Sequence, residues 1–242
     1  MMHFRTAAVG AALVTFLSVK GYAQVPQAAR DAYARVLSTY VEDGRVDYKG
    51  LGKDRGDLDR YVEAVAKAEL PRGRDERIGF YVDAYNALVL SAVIAHGRPR
   101  SVLDVKGFFN QRKHRVAGRD LTLDELEKET LNPFAKDPRT HFVVVCGAVG
   151  CPILESKPYY GSNLDRRFEA ATRRYLGSPQ GARVEGGKLV ISKIFDWYAA
   201  DFGGAEGAKA FVLKRLPADT RGRLAEAPEV GFVDYNWTLN QQ

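Results

Sequence analysis

Residues 75–97 read DERIGFYVDAYNALVLSAVIAHG, the longest helical pattern in a chain of 242 residues. Acids at its start, Asp75 and Glu76, suit the positive end of a helix dipole, and Gly97 supplies the stop. From Ala84 to Ala95 the stretch is apolar nearly all round, so it has no face to offer water. Such a helix is predicted to be the central helix of the core. Asn86 interrupts it, and a buried amide must find partners or cost a few kcal/mol. Two roles fit: a tie from the helix to a sheet or loop, or an amide lining a cleft beside His141.

Working outward, residues 27–41 form an amphipathic pattern with Ala28, Val36, Leu37 and Tyr40 as its apolar side. Asp43-Gly44 signals a turn, and a second helix fits Leu58 to Ala68 before Pro71. After Pro99 the character changes. HRVAGRDLTL (114–123) reads as two short strands around Ala117-Gly118. Thr122 to Glu125 is a capping-box pattern that starts a short helix expected to stop before Pro133. His141 to Cys146 is β-branched and continuous, as a buried strand would be. NLDRRFEAATRRYL (163–176) is amphipathic, and ARVEGGKLVISKIF (182–195) reads as a hairpin around Gly186-Gly187. A helix at about Glu206 to Leu216 and a closing strand in VGFVDYNWTLN (230–240) complete the pattern. The fold class is therefore α+β, a helical N-terminal half packed on a mostly antiparallel sheet from the C-terminal half. Residues 24–242 are expected to form a single domain, with no internal repeat and no interdomain linker.

Residues 1–23 carry a basic start (Arg5), an apolar run from Ala7 to Val19, and small residues before Gln24. This is the three-part pattern of a secretory signal peptide, with a run too short to span a bilayer. A periplasmic or secreted protein follows as the expectation, with no transmembrane segment in the mature chain. Removing Arg5 and Lys20 lowers the net charge from +6 to +4. The remaining basic residues are spread and interrupted by acids, which argues against nucleic acid as a partner and for solvated helix faces.

HFVVVCGAVGCPIL (141–154) holds both cysteines of the chain and a histidine. The other histidines invite no chemistry: His96 ends a helix and His114 sits in what reads as an exposed basic hairpin. A metal site at His141, Cys146 and Cys151 is disfavoured, because His141 and Cys146 would lie on opposite faces of a strand and roughly 16 Å apart. No fourth ligand is evident either. No metal and no cofactor are therefore expected. A nucleophile at Cys151 is feasible, since Gly147 and Gly150 let the chain turn back toward His141. Asn86, Asp196 and Asp234 are the candidates to orient that imidazole, while Pro152 removes a backbone N–H from a would-be oxyanion site. A Cys146–Cys151 disulfide needs least, given export and four intervening residues. In WYAADF (197–202) the aromatics have helical spacing and read as core.

Several segments together resemble the domain-of-unknown-function family 547. They are DGRVDYKGL (43–51), FYVDAYNALVL (80–90), LTLDELEKETL (121–131), DPRTHFVVVCGAVGCPIL (137–154), ISKIFDWYAADFG (191–203) and VDYNWTLN (233–240). They occur in the family's order over nearly the whole mature chain. Relatives carry a histidine where Lys128 stands and an arginine near Asn132, so that helix end departs from the pattern. The resemblance implies no established activity. The helix-then-sheet order also looks like that of papain-like and transglutaminase-like cysteine enzymes, by fold analogy only. Their nucleophile opens the central helix, where this chain has Tyr85-Asn86, so a thiol mechanism would need Cys151 instead. Two functions stand side by side. One is an envelope thiol-dependent amide hydrolase or acyltransferase with a cleft at His141, Asn86 and Cys151. The other is a non-catalytic binding or scaffold domain with a structural disulfide, its partner an envelope peptide or a small molecule.

Overall fold

The computed structural model describes residues 24–161, 163–226 and 228–242. The expected signal peptide, residues 1–23, lies outside the described residues. Three helices build the N-terminal half around a fourth. α1 (Gln27–Tyr40) leads through a two-residue hairpin, β1 (Val41–Glu42) and β2 (Arg45–Val46), into α2 (Tyr48–Lys53), then α3 (Gly56–Lys67) and α4 (Arg74–Ala95). The sequence pattern gave no hint of α2, a short helix started by Asp47, whose carboxylate accepts the Gly50 N–H at 2.8 Å. Rings from α1 and α3 stack over the core, Tyr33 on Tyr61 at 4.3 Å.

α4 is the central helix, as its composition requires. Every residue from Ile78 to Leu90 is buried. By length and composition it could cross a membrane, yet 83% of its most apolar window is covered by the protein itself. Two of its polar residues bind neighbouring chain. The Asp83 carboxylate accepts N–H bonds from Tyr159 at 2.8 Å and Tyr160 at 3.0 Å. The Asn86 side chain donates to the Val143 carbonyl and accepts from the Val145 N–H, both at 2.9 Å.

Those Asn86 bonds correct the expected strand at His141 to Cys146. Pro138–Phe142 is a 3-10 turn, Val143 is a turn residue, and Val144 to Cys146 form no regular element and join no sheet. A buried β-branched run can forgo a ladder when its backbone groups are satisfied otherwise. Here a side-chain amide supplies both partners.

The expected hairpin at His114 to Leu121 is present as β3 (His114–Val116) and β4 (Arg119–Leu121). His114 is less exposed there than expected, and burial lowers its pKa to about 4. The capping box also forms, through Thr122 and Glu125. It starts a π-helical segment, Glu125–Leu131, which continues into α5 (Asn132–Ala135). The helix does not stop before Pro133, because proline in the first turn of α5 forfeits no needed N–H.

α6 (Leu164–Leu176) precedes the hairpin of β5 (Ala182–Glu185) and β6 (Lys188–Ser192). α7 (Ile194–Trp197), a 3-10 turn (Ala199–Phe202), α8 (Gly204–Leu213) and α9 (Ala218–Arg221) then cross over to β7 (Val230–Val233). β7 is shorter than the expected closing strand and pairs parallel with β6, as a helical crossover demands. The other strand pairs are antiparallel, so the α+β class stands, with a small three-stranded sheet. Two apolar cores result. One surrounds α4, and the second gathers Phe142, Phe195 and Phe202 with β6 and α8.

Two predictions follow from the polar residues of α4. Asn86→Ala leaves a buried carbonyl and N–H without partners and should lower stability by about 2–4 kcal/mol, read by chemical denaturation. Burial pushes the Asp83 carboxyl up to about 7, against the N–H bonds that favour its charge. The folded protein therefore holds a proton that the unfolded chain has lost above about pH 4. Stability from this group is full below that pH and falls as pH rises through 7. Asp83→Asn should flatten the stability profile between pH 4 and 7.

Candidate functional site

The segment after Pro138 runs along the seam between the two cores. Phe142 enters the second core, while Val143, Val144 and Val145 belong to the first. Asp137 caps the 3-10 turn through the Arg139 N–H at 2.9 Å, and the Thr140 hydroxyl donates to Asn132 at 2.9 Å. This fixes where His141 leaves the backbone.

The His141 side chain is almost fully buried and sits against Tyr198, with ring centroids 3.9 Å apart. Its Nε2 lies 2.8 Å from an Asp201 carboxylate oxygen. Nδ1 is buried and has no hydrogen-bond partner among the described residues. Burial lowers the pKa of His141, with the Asp201 carboxylate opposing it. A neutral ring with Nε2–H donated to Asp201 therefore presents its lone pair at Nδ1. The orienting carboxylate is Asp201 and none of the three candidates read from the sequence. Asn86 is committed to backbone, Asp196 bonds Lys193 at 3.2 Å, and Asp234 is exposed.

Cys146 and Cys151 have their sulfurs at disulfide distance, with Cα atoms 6.3 Å apart. The intervening loop turns as its glycines permit. Gly147 adopts φ +87°, and a Cβ on Gly150 would come within 3.0 Å of the Asn236 backbone. The C-terminal segment clamps this loop, with Gly150 N–H donating to Asn236 and Val149 N–H to Thr238, both at 2.8 Å. At the sulfurs, Cys151 Sγ accepts the Cys146 N–H at 3.0 Å and the Tyr235 hydroxyl at 3.2 Å.

His141, Cys146 and Cys151 all line one cleft of about 960 Å3. Glu127 lines the same cleft, buried on the π-helical segment, where it accepts the Tyr198 hydroxyl at 2.7 Å. π-helical turns recur at functional sites because the extra residue re-aims a side chain. Trp197, Tyr235 and Trp237 form a contiguous aromatic wall, with centroids 4.7 to 5.7 Å apart. Of WYAADF, Phe202 is core as expected, but Trp197 is 47% exposed and faces the cleft. Asn86 does not line this cleft; it holds the backbone behind it.

Three cleft residues escaped sequence reasoning: Glu127, Tyr198 and Asp201. Glu127 left a signal, since Leu123, Leu126, Glu127 and Leu131 are all buried, so a carboxylate occupies an apolar stripe. Tyr198 and Asp201 left only an i,i+3 spacing. No group of His, Cys, Asp and Glu suited to hold a metal occurs among the described residues.

No curated protein and no solved structure matches the chain significantly. Residues 69–176, which run from the approach to α4 through the end of α6 and carry Asn86, Glu127, His141 and both cysteines, match the model of the family described as protein of unknown function, DUF547.

Proposed function

We propose that the cleft is the active site of a thiol-dependent acyl-transfer enzyme of the cell envelope, an amide hydrolase or acyltransferase. Its resting form carries the Cys146–Cys151 disulfide, and a dithiol reductant frees Cys151 in use. The observation that carries the reading is His141, held by Asp201 at Nε2 and unpartnered at Nδ1, on the wall of the cleft that both cysteines line. That is the arrangement of a base with its orienting carboxylate. In the reaction Nδ1 takes the Cys151 proton, and the sulfur bonds to the substrate carbonyl carbon. The C–N bond then breaks, and the leaving nitrogen takes the proton from His141. Water or an amine cleaves the thioester and restores the thiol. The Cys146 N–H and Tyr235 hydroxyl, both on Cys151 Sγ, favour the thiolate.

A second reading is a binding or scaffold domain, favoured by the half-buried, doubly clamped disulfide and the absence of a free cysteine among the described residues. Labelling separates the two. Iodoacetamide should leave the oxidised native protein unmodified. After mild reduction Cys151 should react faster than Cys146, and His141→Ala or Asp201→Asn should slow it about a hundredfold or more, the lower end of what a positioned base contributes. Equal, slow labelling of both thiols that ignores His141→Ala would favour the binding domain.

Export is part of the proposal, with residues 24–242 folding as one unit after removal of residues 1–23. Intact-mass analysis of the secreted form should give a chain starting at Gln24. A cytoplasmic product retaining Met1 would contradict it.

A further inference from the structure

The cleft brings together a buried carboxylate, Glu127, a half-exposed one, Asp201, and an imidazole nitrogen, with no cation paired to any of them among the described residues. Glu127 is 6% exposed, its Oε1 takes the Tyr198 hydroxyl, and no lysine or arginine lies within ion-pair distance of it among the described residues. Its charge nonetheless acts on the His141 imidazole. Asp201 is bonded only to His141 Nε2, whose ring is neutral, and Nδ1 adds a lone pair that no described group satisfies. The cations on the same cleft are engaged or peripheral: Lys128 pairs with Asp124 at 2.8 Å, and Lys136 is exposed at the rim. Around the floor stand the rings of Tyr85, Tyr198 and Trp197.

A buried carboxylate without a cation is costly, and aromatic faces attract positive charge. We infer that the cleft binds a substrate through a primary ammonium group on an aliphatic stem, seated between Glu127 and Asp201 beside His141 Nδ1 and sheathed by Tyr198 and Trp197. An ammonium is donor only, with three N–H bonds to give, and His141 Nδ1 together with the remaining lone pairs of Glu127 and Asp201 can receive them. Such a group suits a lysine side chain or another alkylamine.

This assignment rests on the acyl-transfer reading where it names the amine's role, which is acyl acceptor. One ammonium proton passes to His141 Nδ1, giving a neutral amine. Its nitrogen bonds to the thioester carbon as the C–S bond breaks. A second N–H proton goes to the departing Cys151 sulfur, leaving an amide and a free thiol.

Both tryptophans of the chain line this cleft, so intrinsic fluorescence reports its occupancy directly. The first arm titrates oxidised full-length protein with n-pentylamine, 1-pentanol and pentanoate at pH 7. Saturable binding of pentylamine is expected, at least tenfold tighter than pentanol, weakened by salt, and weakened about tenfold by Glu127→Gln. The comparison of amine with alcohol needs no variant and so survives a misfolded Glu127→Gln. Equal affinity for pentanol, or tighter binding of pentanoate, overturns the ammonium site whatever the thiols do. The second arm adds a simple acetyl thioester and pentylamine to reduced protein and follows products by mass. N-pentylacetamide formation supports the acceptor role. An acetylated Cys151 that releases only acetate overturns it. Amine binding with a thiol that never acylates overturns the acyl-transfer reading and leaves the ammonium site standing.

Discussion

The clamp of Asn86 on the backbone of Val143 and Val145 is the constraint on which the site depends. It joins the most buried helix to a stretch that touches both cores. A strand in a sheet would alternate its side chains between two faces and send His141 and Cys146 apart. A segment of irregular backbone held by a single amide is free of that rule. The 3-10 turn before it can deliver His141 to Asp201, and the glycine loop after it can return Cys151 to Cys146. The amide serves because it offers one donor and one acceptor, matched to one carbonyl and one N–H. An aspartate there would lose the donor.

The other half of the cleft comes from the end of the chain. Residues 236–240 pin the loop of Gly147 to Gly150 by main-chain bonds, and Asn240 reaches back to Tyr48 and Gly44 near the start. Tyr235 packs against both cores and places its hydroxyl on the sulfurs. Cleft geometry is thus coupled to closure of the whole fold. A small three-stranded sheet suffices because main-chain bonds of this kind do work that a larger sheet would otherwise perform.

What the sequence made legible was local. Helical periodicity placed α1, α3, α4 and α6, the paired glycines placed the hairpin of β5 and β6, and the capping box placed the start of the π-helical segment. A lone asparagine in an apolar helix announced a tie, and two cysteines flanking glycines announced a turn. Misreadings arose where a distant partner decided the outcome. β-branching at Val143 to Val145 signals burial and extension but cannot say whether a ladder or an amide satisfies the backbone. Proline at residue 133 signals an interruption but not that a new helical turn begins one residue earlier. Asp201 could not be picked out, because its role exists only once β6 and α7 have carried it 60 residues along the chain to His141.

Buried polar groups in this protein fall into two kinds, and the difference separates structure from function. Asp83 and Asn86 are as buried as the apolar residues beside them, and both are partnered by backbone. Removing either would harm the fold, and nothing about them asks for a ligand. Glu127 and His141 are equally withdrawn from water, yet Glu127 has no cation and His141 has an idle nitrogen. A leucine at Glu127 would continue the stripe of Leu123, Leu126 and Leu131. The hydroxyls of Tyr33 and Tyr159 and the Nε2 of His114 are unpartnered too, but these groups are neutral and lie away from the cleft. Unmet charge and an unmet base on one concave surface are a local departure from what stability alone would favour. Selection for folding would remove such groups, so their concentration at the cleft beside the cysteine pair is the physical reason to place chemistry there.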